Sequence, residues 1–312
     1  MDKIKEWLNT TPYKNYKLSI ASADASFRKY YRLTQESETY LLMDSSLEKE
    51  SLAPFLDVTS RLEAARVKVP TIYEKNLEDG YLIIEDFGDT HLLNILDSKN
   101  FRELYTSAID EIINMQKADA SSLPLYDKKF LHFEMDLMSE WYLKQKLSIK
   151  LTQEQKEMMQ KALDSISEIV LSQPQGVFVH RDYHSRNIML TTNKQIGVID
   201  YQDAMSGAIT YDLVSLLKDC YIEFKREEIE ELVLAFRDKL GLKTGNGEFL
   251  KWFDFMGLQR HIKVLGIFSR LHLRDGKDGY LKDIPLTLKY VVETASRYEE
   301  TKNLSEFLKE HA

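Results

Sequence analysis

The sequence of 312 residues is poor in residues that cross-link or interrupt a fold, with one cysteine, six prolines and twelve glycines. The lone Cys220 excludes an internal disulfide and a metal site built from several thiolates, and it favours a reducing compartment. With 43% hydrophobic and 29% charged residues, the chain is neither collagen-like nor disordered. No apolar run approaches the roughly 18 residues that a membrane helix needs.

Targeting signals are also lacking at the start of the chain. The first segment, MDKIKEWLNTTPYKNY, mixes acidic and basic residues and has no apolar core of the kind found in signal peptides. The formal charge of −8 argues against a general nucleic-acid binder, which usually carries a basic face. We therefore expect a soluble cytoplasmic protein without nucleic-acid or membrane partners. Its oligomeric state is left open.

The pattern of apolar residues divides the chain into two parts. Residues 18–87 are typical of a β-β-α-β-β series, with the helix over 47–66. Helical spacing follows over 91–119 and 130–147, and Thr152 with Gln155 fits a capping box that opens a helix over 152–171. A short β-rich island, VFVHRDYHSRNIML…QIGVIDYQDA, precedes a helical remainder from Thr210 onward. This predicts a β-rich domain over 1–87 and a mainly helical domain over 88–312.

One motif in the β-rich island indicates chemistry. His180, Asp182 and Asn187 form the pattern H-x-D-x-x-x-x-N, and an apolar strand ending in Asp200 follows thirteen residues later. Phosphoryl transfer needs one carboxylate to orient the acceptor hydroxyl and take its proton, and further oxygen ligands to hold Mg²⁺ against nucleotide phosphates. Asp182 suits the first role, and Asn187 with Asp200 the second. The alternative is a polar turn with a buried histidine, which the complete ordered set disfavours.

The series HRDYHSRN…IDYQDA…TYDLVSLL resembles the aminoglycoside phosphotransferase-like kinases over nearly the whole chain. The segments ADASFRKYYR, IIEDFGD and LQRHIKVLGIFSRLHLRDGKDGYL are similar to a narrower group, the anomeric N-acetylmuramate and N-acetylglucosamine kinases of bacterial cell-wall recycling. The resemblance implies an α+β, protein-kinase-like fold of two lobes, with ATP and Mg²⁺ as cofactors. It also implies an amino-sugar acceptor phosphorylated on its anomeric hydroxyl.

The resemblance also implies a role for each matching residue. Asp182 would be the catalytic base, Asn187 and Asp200 the metal ligands, and the hinge beside the adenine would include Glu85, Asp86 and Phe87. His180 and Asp212 would have structural roles in the catalytic loop. A turn over the nucleotide phosphates would include Ser22, Asp24, Ala25, Ser26 and Phe27.

Two departures from the family pattern concern the nucleotide phosphates. The turn ASADAS has no glycine, so backbone amides and the Ser26 hydroxyl would bind the phosphates. Met43 stands where a phosphate-binding lysine is expected and is interpreted as a core residue. Arg28 is the first candidate for the replacing cation and Arg32 the second, with a solvated surface charge as the alternative for each.

The predicted acceptor site is basic. Residues 257–283 hold six Lys or Arg and three Asp, a net charge of +3 in an acidic chain. Arginine-rich sites suit carboxylated acceptors such as N-acetylmuramate, whereas a polycationic antibiotic needs an acidic pocket. The alternative is a solvated helix face. The proposed acceptor contacts are Arg260, Lys263, Arg270 and Arg274, with Tyr201 and Gln202 beside the metal site; Tyr201 has a packing role as its alternative.

These expectations leave two rival functions. One is another small-molecule kinase of the same fold, for choline, homoserine or an aminoglycoside. The other is a catalytically impaired nucleotide-binding protein, which the methionine at position 43 suggests. A protein kinase is disfavoured because no Ala-Pro-Glu motif follows Asp200.

Overall fold

The structure, a computed structural model, describes residues 1–22 and 28–312. Backbone contacts divide it into a first unit, Met1–Ile95 with Arg186–Asp203, and a second unit, Leu96–Ser185 with Ala204–Ala312. The sequence predicted two domains, 1–87 for nucleotide binding and 88–312 for acceptor binding. That division and those two roles remain predictions. None of the helices in the described ranges combines the length and the apolar character needed to cross a bilayer.

Among the described residues, the first unit is built on a five-stranded antiparallel sheet in the order β1 (Lys17–Ser22), β2 (Lys29–Gln35), β3 (Glu38–Asp44), β5 (Tyr81–Glu85) and β4 (Ile72–Asn76), which is one strand more than the predicted β-β-α-β-β series. Four consecutive buried residues of β5, Tyr81 to Ile84, show that this strand is covered on both faces. The elements are α1 (Asp2–Leu8), β1 (Lys17–Ser22), β2 (Lys29–Gln35), β3 (Glu38–Asp44), α2 (Leu52–Ala64), β4 (Ile72–Asn76), β5 (Tyr81–Glu85), α3 (Leu92–Ile95), β7 (Ile188–Leu190) and β8 (Ile196–Val198).

The second unit is mainly helical. The predicted capping box is confirmed, because the Thr152 hydroxyl accepts the Gln155 N–H and the Gln155 side chain accepts the Thr152 N–H. Cys220 is free and buried, as expected. The elements are α4 (Phe101–Met115), α5 (Lys128–Leu137) with a π-helical continuation (Met138–Lys146), α6 (Gln153–Ser172), β6 (Val177–Val179), β9 (Met205–Gly207), α7 (Tyr211–Leu217), α8 (Arg226–Lys239), α9 (Asn246–Leu273), α10 (Ile284–Ala295) and α11 (Lys302–His311).

A helix boundary also differs from the sequence expectation. The helix expected over 91–119 is broken into α3 and α4, because the Asp97 carboxylate accepts the N–H groups of Lys99 and Asn100 and forms a turn there. The predicted β-rich island forms short strands, of which β6 pairs with β9 and β7 pairs with β8.

Helix α9 forms the centre of the second unit. Every residue from Trp252 to Gly266 is buried, so this stretch is covered all round rather than on one face. The end of α5 approaches it closely at Gly266, where a Cβ atom would lie 2.3 Å from the Leu137 carbonyl carbon. This close packing requires glycine and fixes the depth at which the polar residues of α9 lie.

Candidate active site

The loop that carries Asp182 begins where β6 ends, in the second unit. The buried carboxylate of Asp212 accepts the backbone N–H of His180 at 2.7 Å and that of Arg181 at 3.0 Å. Burial raises the pKa of Asp212, although these two N–H groups and His180 oppose the shift. Arg181 has a φ of 78°, a left-handed conformation that is rare outside glycine. Asp212 therefore stabilises a strained turn directly before Asp182.

His180 contributes a further bond within the same loop. Its ring is buried, and its Nδ1 accepts the backbone N–H of Asp182 at 3.3 Å. The proton of a neutral His180 ring then lies on Nε2. The ring also makes an edge contact with Tyr183 at a centroid distance of 5.8 Å. The structural role predicted for His180 is compatible with these contacts.

The Asp182 carboxylate lies beside several cations and is about half exposed, with 47% of its side-chain surface accessible. Arg260 Nη1 is 3.7 Å from its Oδ1, and the same Nη1 donates a 2.6 Å hydrogen bond to the Arg181 carbonyl. Burial by itself would raise the pKa of Asp182, but Lys263, Arg260 and the other nearby cations hold it well below its usual range. The carboxylate is therefore ionised at neutral pH.

A buried polar network supports these cations. Glu134 Oε1 accepts a 2.7 Å hydrogen bond from Arg181 Nη2 and lies 3.6 Å from Lys263 Nζ. Gln259 donates to the other Glu134 oxygen at 3.1 Å, and Lys263 donates to the Tyr211 hydroxyl at 2.8 Å. Burial lowers the pKa of Lys263 despite the attraction of Glu134 and Asp182. The network thus determines how the cations are placed around Asp182.

Sequence reasoning missed Glu134. It occupies a helix position beside Leu131, Met135 and Met138, all of which are fully buried. The sequence feature that could have identified Glu134 is a carboxylate at a core-facing position of an amphipathic helix, because such a group needs a buried partner.

Asp219, which the sequence interpretation also missed, fixes the other side of the loop. Its Oδ2 accepts the Ser185 N–H at 2.9 Å and also accepts the Ser185 hydroxyl, while its Oδ1 accepts the Tyr221 N–H at 3.0 Å. The backbone on both sides of Asp182 is therefore held by a buried carboxylate.

The predicted metal ligands lie in the first unit and are close together. Asn187 Nδ2 is 3.3 Å from Asp200 Oδ2, and Gln202 Nε2 donates to Asp200 Oδ1 at 2.9 Å. Asp200 is exposed and has a φ of 64°. An exposed carboxylate beside an amide side chain, which also carries an oxygen, fits Mg²⁺, an ion that uses one or two protein oxygens together with waters and phosphates. No cluster of three or more His, Cys, Asp or Glu suited to a metal occurs in residues 1–22 and 28–312.

Tyr201, predicted as a sugar contact, is fully buried. Its hydroxyl is hydrogen-bonded to Thr59 at 2.9 Å, and its ring stacks on Phe55 at a centroid distance of 5.2 Å. This burial favours the packing alternative over contact with a sugar. A sugar contact by Gln202, which is part-exposed, remains a prediction.

The two candidate phosphate-binding arginines have different environments. Arg28 is 6% exposed, and its guanidinium lies 5.8 Å from the centre of the Phe55 ring, the ring on which Tyr201 stacks. Arg32 instead donates to Asp86 at 2.6 Å and to Asp89 at 2.8 Å, and both carboxylates raise its pKa. Arg32 thus fastens β2 to the segment after β5.

The predicted hinge residues have fixed side chains. Both carboxylate oxygens of Glu85 accept from Lys68, at 2.7 and 2.6 Å, and Glu85 also accepts the Thr71 hydroxyl. Phe87 is buried against Gly197, where a Cβ atom would lie 2.6 Å from the ring.

Met43, at the position of the expected phosphate-binding lysine, is fully buried in β3, as expected. Asp24, Ala25, Ser26, Phe27 and the side chain of Ser22 lie outside the described residues.

The four cations predicted to contact the acceptor do not share one environment. Arg260 and Lys263 are each 3% exposed, so the alternative of a solvated helix face is wrong for these two. Arg270 is part-exposed. Arg274 is exposed just past the end of α9 and pairs with Asp275 at 2.7 Å. Acceptor contact by these residues remains a prediction.

Comparison with known proteins identifies the family. Residues 17–246 match the phosphotransferase enzyme family of the aminoglycoside phosphotransferase type. An N-acetylmuramate/N-acetylglucosamine kinase of Neisseria meningitidis is 38% identical over 310 residues, covering 96% of this chain and 92% of the relative. A protein of the same name from Pseudomonas aeruginosa is 37% identical, covering 92% of this chain and 86% of its own length.

Two solved structures show the fold. An ADP-bound aminoglycoside phosphotransferase superposes with a TM-score of 0.62 at 17% identity, covering 94% of this chain and 98% of its own. A choline/ethanolamine kinase family protein of Mesorhizobium loti gives 0.66 at 12% identity, with 99% of both chains covered. The predicted α+β, protein-kinase-like fold, with a sheet-based N-lobe and a helical C-lobe, is confirmed. The chain is a phosphotransferase and belongs to the aminoglycoside phosphotransferase-type family of phosphotransferase enzymes.

Proposed function

We propose that this phosphotransferase is an ATP-dependent kinase of N-acetylated amino sugars. It transfers the γ-phosphoryl group of ATP to the anomeric hydroxyl of N-acetylmuramate, N-acetylglucosamine or both, and releases the sugar 1-phosphate and ADP. The names of the relatives from Neisseria and Pseudomonas support the acceptor class, and the ADP-bound structural neighbour supports the nucleotide. A cytoplasmic location belongs to the same proposal.

The environment of Asp182 carries this proposal. An ionised, half-exposed carboxylate can accept a hydrogen bond from an acceptor hydroxyl and align its oxygen for attack. The hydroxyl oxygen then forms a bond to the γ-phosphorus, the bond from that phosphorus to the ADP oxygen breaks, and the hydroxyl proton passes to Asp182. His180, Asp212 and Asp219 position the loop and do not touch the reacting atoms.

The charges around Asp182 favour a neutral or anionic acceptor. Arg260 and Lys263 lie beside it together with Arg181, so these three cations outnumber the two carboxylates that they contact, Asp182 and Glu134. A polycationic aminoglycoside would be repelled there, whereas the carboxylate of N-acetylmuramate would not. This observation favours the amino-sugar proposal over the rival antibiotic and choline kinases.

The nucleotide would be held by residues of the first unit. Asn187 and Asp200 supply oxygen ligands for Mg²⁺, which when bound neutralises charge on the phosphates. Arg28 supplies a cation in place of the expected lysine, and the backbone of 85–87 contacts the adenine. Residues 22–27 would cover the phosphates.

An acceptor screen tests the proposal. ADP release is measured with N-acetylmuramate, N-acetylglucosamine, choline, homoserine and kanamycin, and ³¹P NMR of the product determines whether the phosphate is on the anomeric oxygen. We expect turnover on one or both sugars only. Turnover confined to a non-sugar would disprove the acceptor class, and an active Asp182→Ala variant would disprove the role of the base. A melting temperature raised by Mg-ATP without ADP release from any acceptor would favour the impaired-kinase rival.

A further inference from the structure

A second polar cavity lies within the helical unit. It has a volume of about 460 Å³ and lies between the chain leading into α8 and the second half of α10. Its size is in the range of small-molecule sites. The acids on its walls are Glu223, Glu227 and Glu293, and the bases are Lys218, Lys225, Arg226, Lys289 and Arg297.

Lys218 is the most deeply placed of these cations, with 9% of its surface exposed. Its ammonium lies 4.5 Å from the centre of the Tyr290 ring. Within the described part of the chain, it makes no hydrogen bond or ion pair with a carboxylate. Burial and Arg226 lower its pKa, although Asp254, Glu293 and Glu223 oppose the shift from a distance. A buried ammonium that faces a cavity without a carboxylate in direct contact is costly, and an anion in the cavity would offset that cost.

Two other lining cations, Arg226 and Lys289, are each paired with two carboxylates. Arg226 is paired with Asp254 at 2.5 Å and with Glu230. Lys289 is paired with Glu223 at 2.8 Å and lies 3.9 Å from Glu293.

Three lining cations therefore remain without a carboxylate partner among the residues that the structure describes, namely Lys218, Lys225 and Arg297. Among the lining acids, Glu227 is the one without a cationic partner in the described residues. The charged residues that line the cavity are five bases and three acids, a net charge of +2, and the three bases without a carboxylate partner in the described ranges are the ones that can bind a doubly charged anion.

We infer that this cavity binds a small phosphorylated molecule, with its phosphomonoester group against Lys218, Lys225 and Arg297. A phosphomonoester carries a charge of about −1.5 to −2 at neutral pH. Lysine ammoniums act as point charges suited to phosphate, and arginine adds paired donors. The volume exceeds what a phosphate ion fills and leaves room for the rest of a sugar-sized molecule.

The site is separate from Asp182 but connected to its loop. Lys218 directly precedes Asp219, the carboxylate that holds Ser185, and the Lys218 carbonyl accepts a 2.8 Å hydrogen bond from His261 Nε2. Both connections lie within the second unit.

Calorimetric titration of the full chain, without nucleotide or Mg²⁺, tests the inference. The probes are glucose 1-phosphate and inorganic phosphate, with glucose as the uncharged comparison. We expect both phosphates to bind and glucose not to bind. Lys225→Gln and Arg297→Gln remove exposed charges, and each should weaken phosphate binding about threefold to fivefold. Lys218→Met should abolish it.

Lys302→Gln is the matched control, because it removes an exposed lysine of α11 outside the cavity. It should leave binding unchanged. If Lys218→Met does not fold, the double variant Lys225→Gln, Arg297→Gln decides the question, and undiminished binding in it overturns the inference. The inference is also wrong if neither phosphate binds. Arg28→Met changes the proposed nucleotide site, so binding that is lost in this variant but kept in the double variant would place the phosphate there and not in the cavity.

Discussion

The guanidinium of Arg260 lies 3.7 Å from the Asp182 carboxylate and donates to the carbonyl of Arg181, the residue before it. One buried cation therefore stabilises both the charge of the proposed base and the strained backbone that presents it. Lys263, one helical turn along α9, contributes to the same field and is held by Glu134 and Tyr211. The helix at the centre of the unit thus sets the electrostatics of the loop.

Replacing Lys263 should change the pKa of the proposed base. Cations hold the pKa of Asp182 well below its usual range, so we expect no protonation of Asp182 in the wild-type enzyme between pH 8 and pH 5. Lys263→Met removes one of these cations and should raise the pKa of Asp182 by about one unit, towards the usual range. Because the pKa stays below the pH range of a kinetic assay in both proteins, the measurement is the ¹³C NMR titration of the Asp182 carboxylate from pH 7 down to about pH 2.5.

The matched control is Lys251→Met, which removes a part-exposed lysine of the same helix that pairs with Glu300. The Asp182 titration curve of this variant should coincide with that of the wild type. Superimposable Asp182 titration curves in Lys263→Met and the wild type would contradict the role assigned to the buried cation.

Asp212→Asn should loosen the loop without touching substrate. The amide retains one acceptor oxygen for the two N–H groups of His180 and Arg181, and its own N–H₂ faces the other. We expect the free energy of unfolding to fall by about 1–3 kcal/mol. Misplacement of Asp182 should lower kcat by about a hundredfold, with little change in the KM for ATP.

Urea denaturation and steady-state kinetics measure the two effects of Asp212→Asn. Asp238→Asn, an exposed change on α8, controls for the loss of one carboxylate. A proportional rise in the KM for ATP with unchanged kcat would show that Asp212 acts on nucleotide binding instead.

Arg28→Met tests which residue replaces the expected lysine. Met43 is fully buried, whereas Arg28 lies over the Phe55 ring that also packs against Tyr201, the neighbour of Asp200. Loss of this cation should lower kcat/KM for ATP by about a hundredfold. Lys29→Met, an exposed change at the next position, should have little effect.

Adding Met43→Lys to Arg28→Met should restore part of the activity if the two positions serve the same phosphates. Equal activities of Arg28→Met and Lys29→Met would exclude Arg28 from this role. Arg32 is a poorer candidate, because Asp86 and Asp89 already accept its hydrogen bonds.

The capping box and all but one strand of the first sheet could be predicted because each depends on residues close together in sequence. The residues that bind the catalytic loop could not be predicted, because they lie far from it in sequence. Glu134 binds Arg181 from 47 residues away, and Asp219 binds Ser185 from 34 residues away. Arg260, Lys263, Arg270 and Arg274 were predicted to act together at the acceptor, but burial varies along α9. Its middle is enclosed by other helices, whereas Arg274 follows its exposed end. Tertiary packing, which local spacing does not encode, decides which of these charges are desolvated.

His261 makes the stability of the fold sensitive to acid. Its ring is buried, which lowers its pKa to about 3, and Nε2 donates to the Lys218 carbonyl. The unfolded chain binds this proton near pH 6.5, so protonation favours unfolding as the pH falls from about 6.5 towards 3. At pH 5 this residue alone should lower the free energy of unfolding by about 2 kcal/mol relative to pH 8.

His261→Gln keeps a donor for the carbonyl and removes the titration. Urea denaturation at both pH values should therefore show a loss smaller by about 2 kcal/mol in the variant than in the wild type. Equal losses in the two proteins would mean that His261 takes up no proton on unfolding in this range.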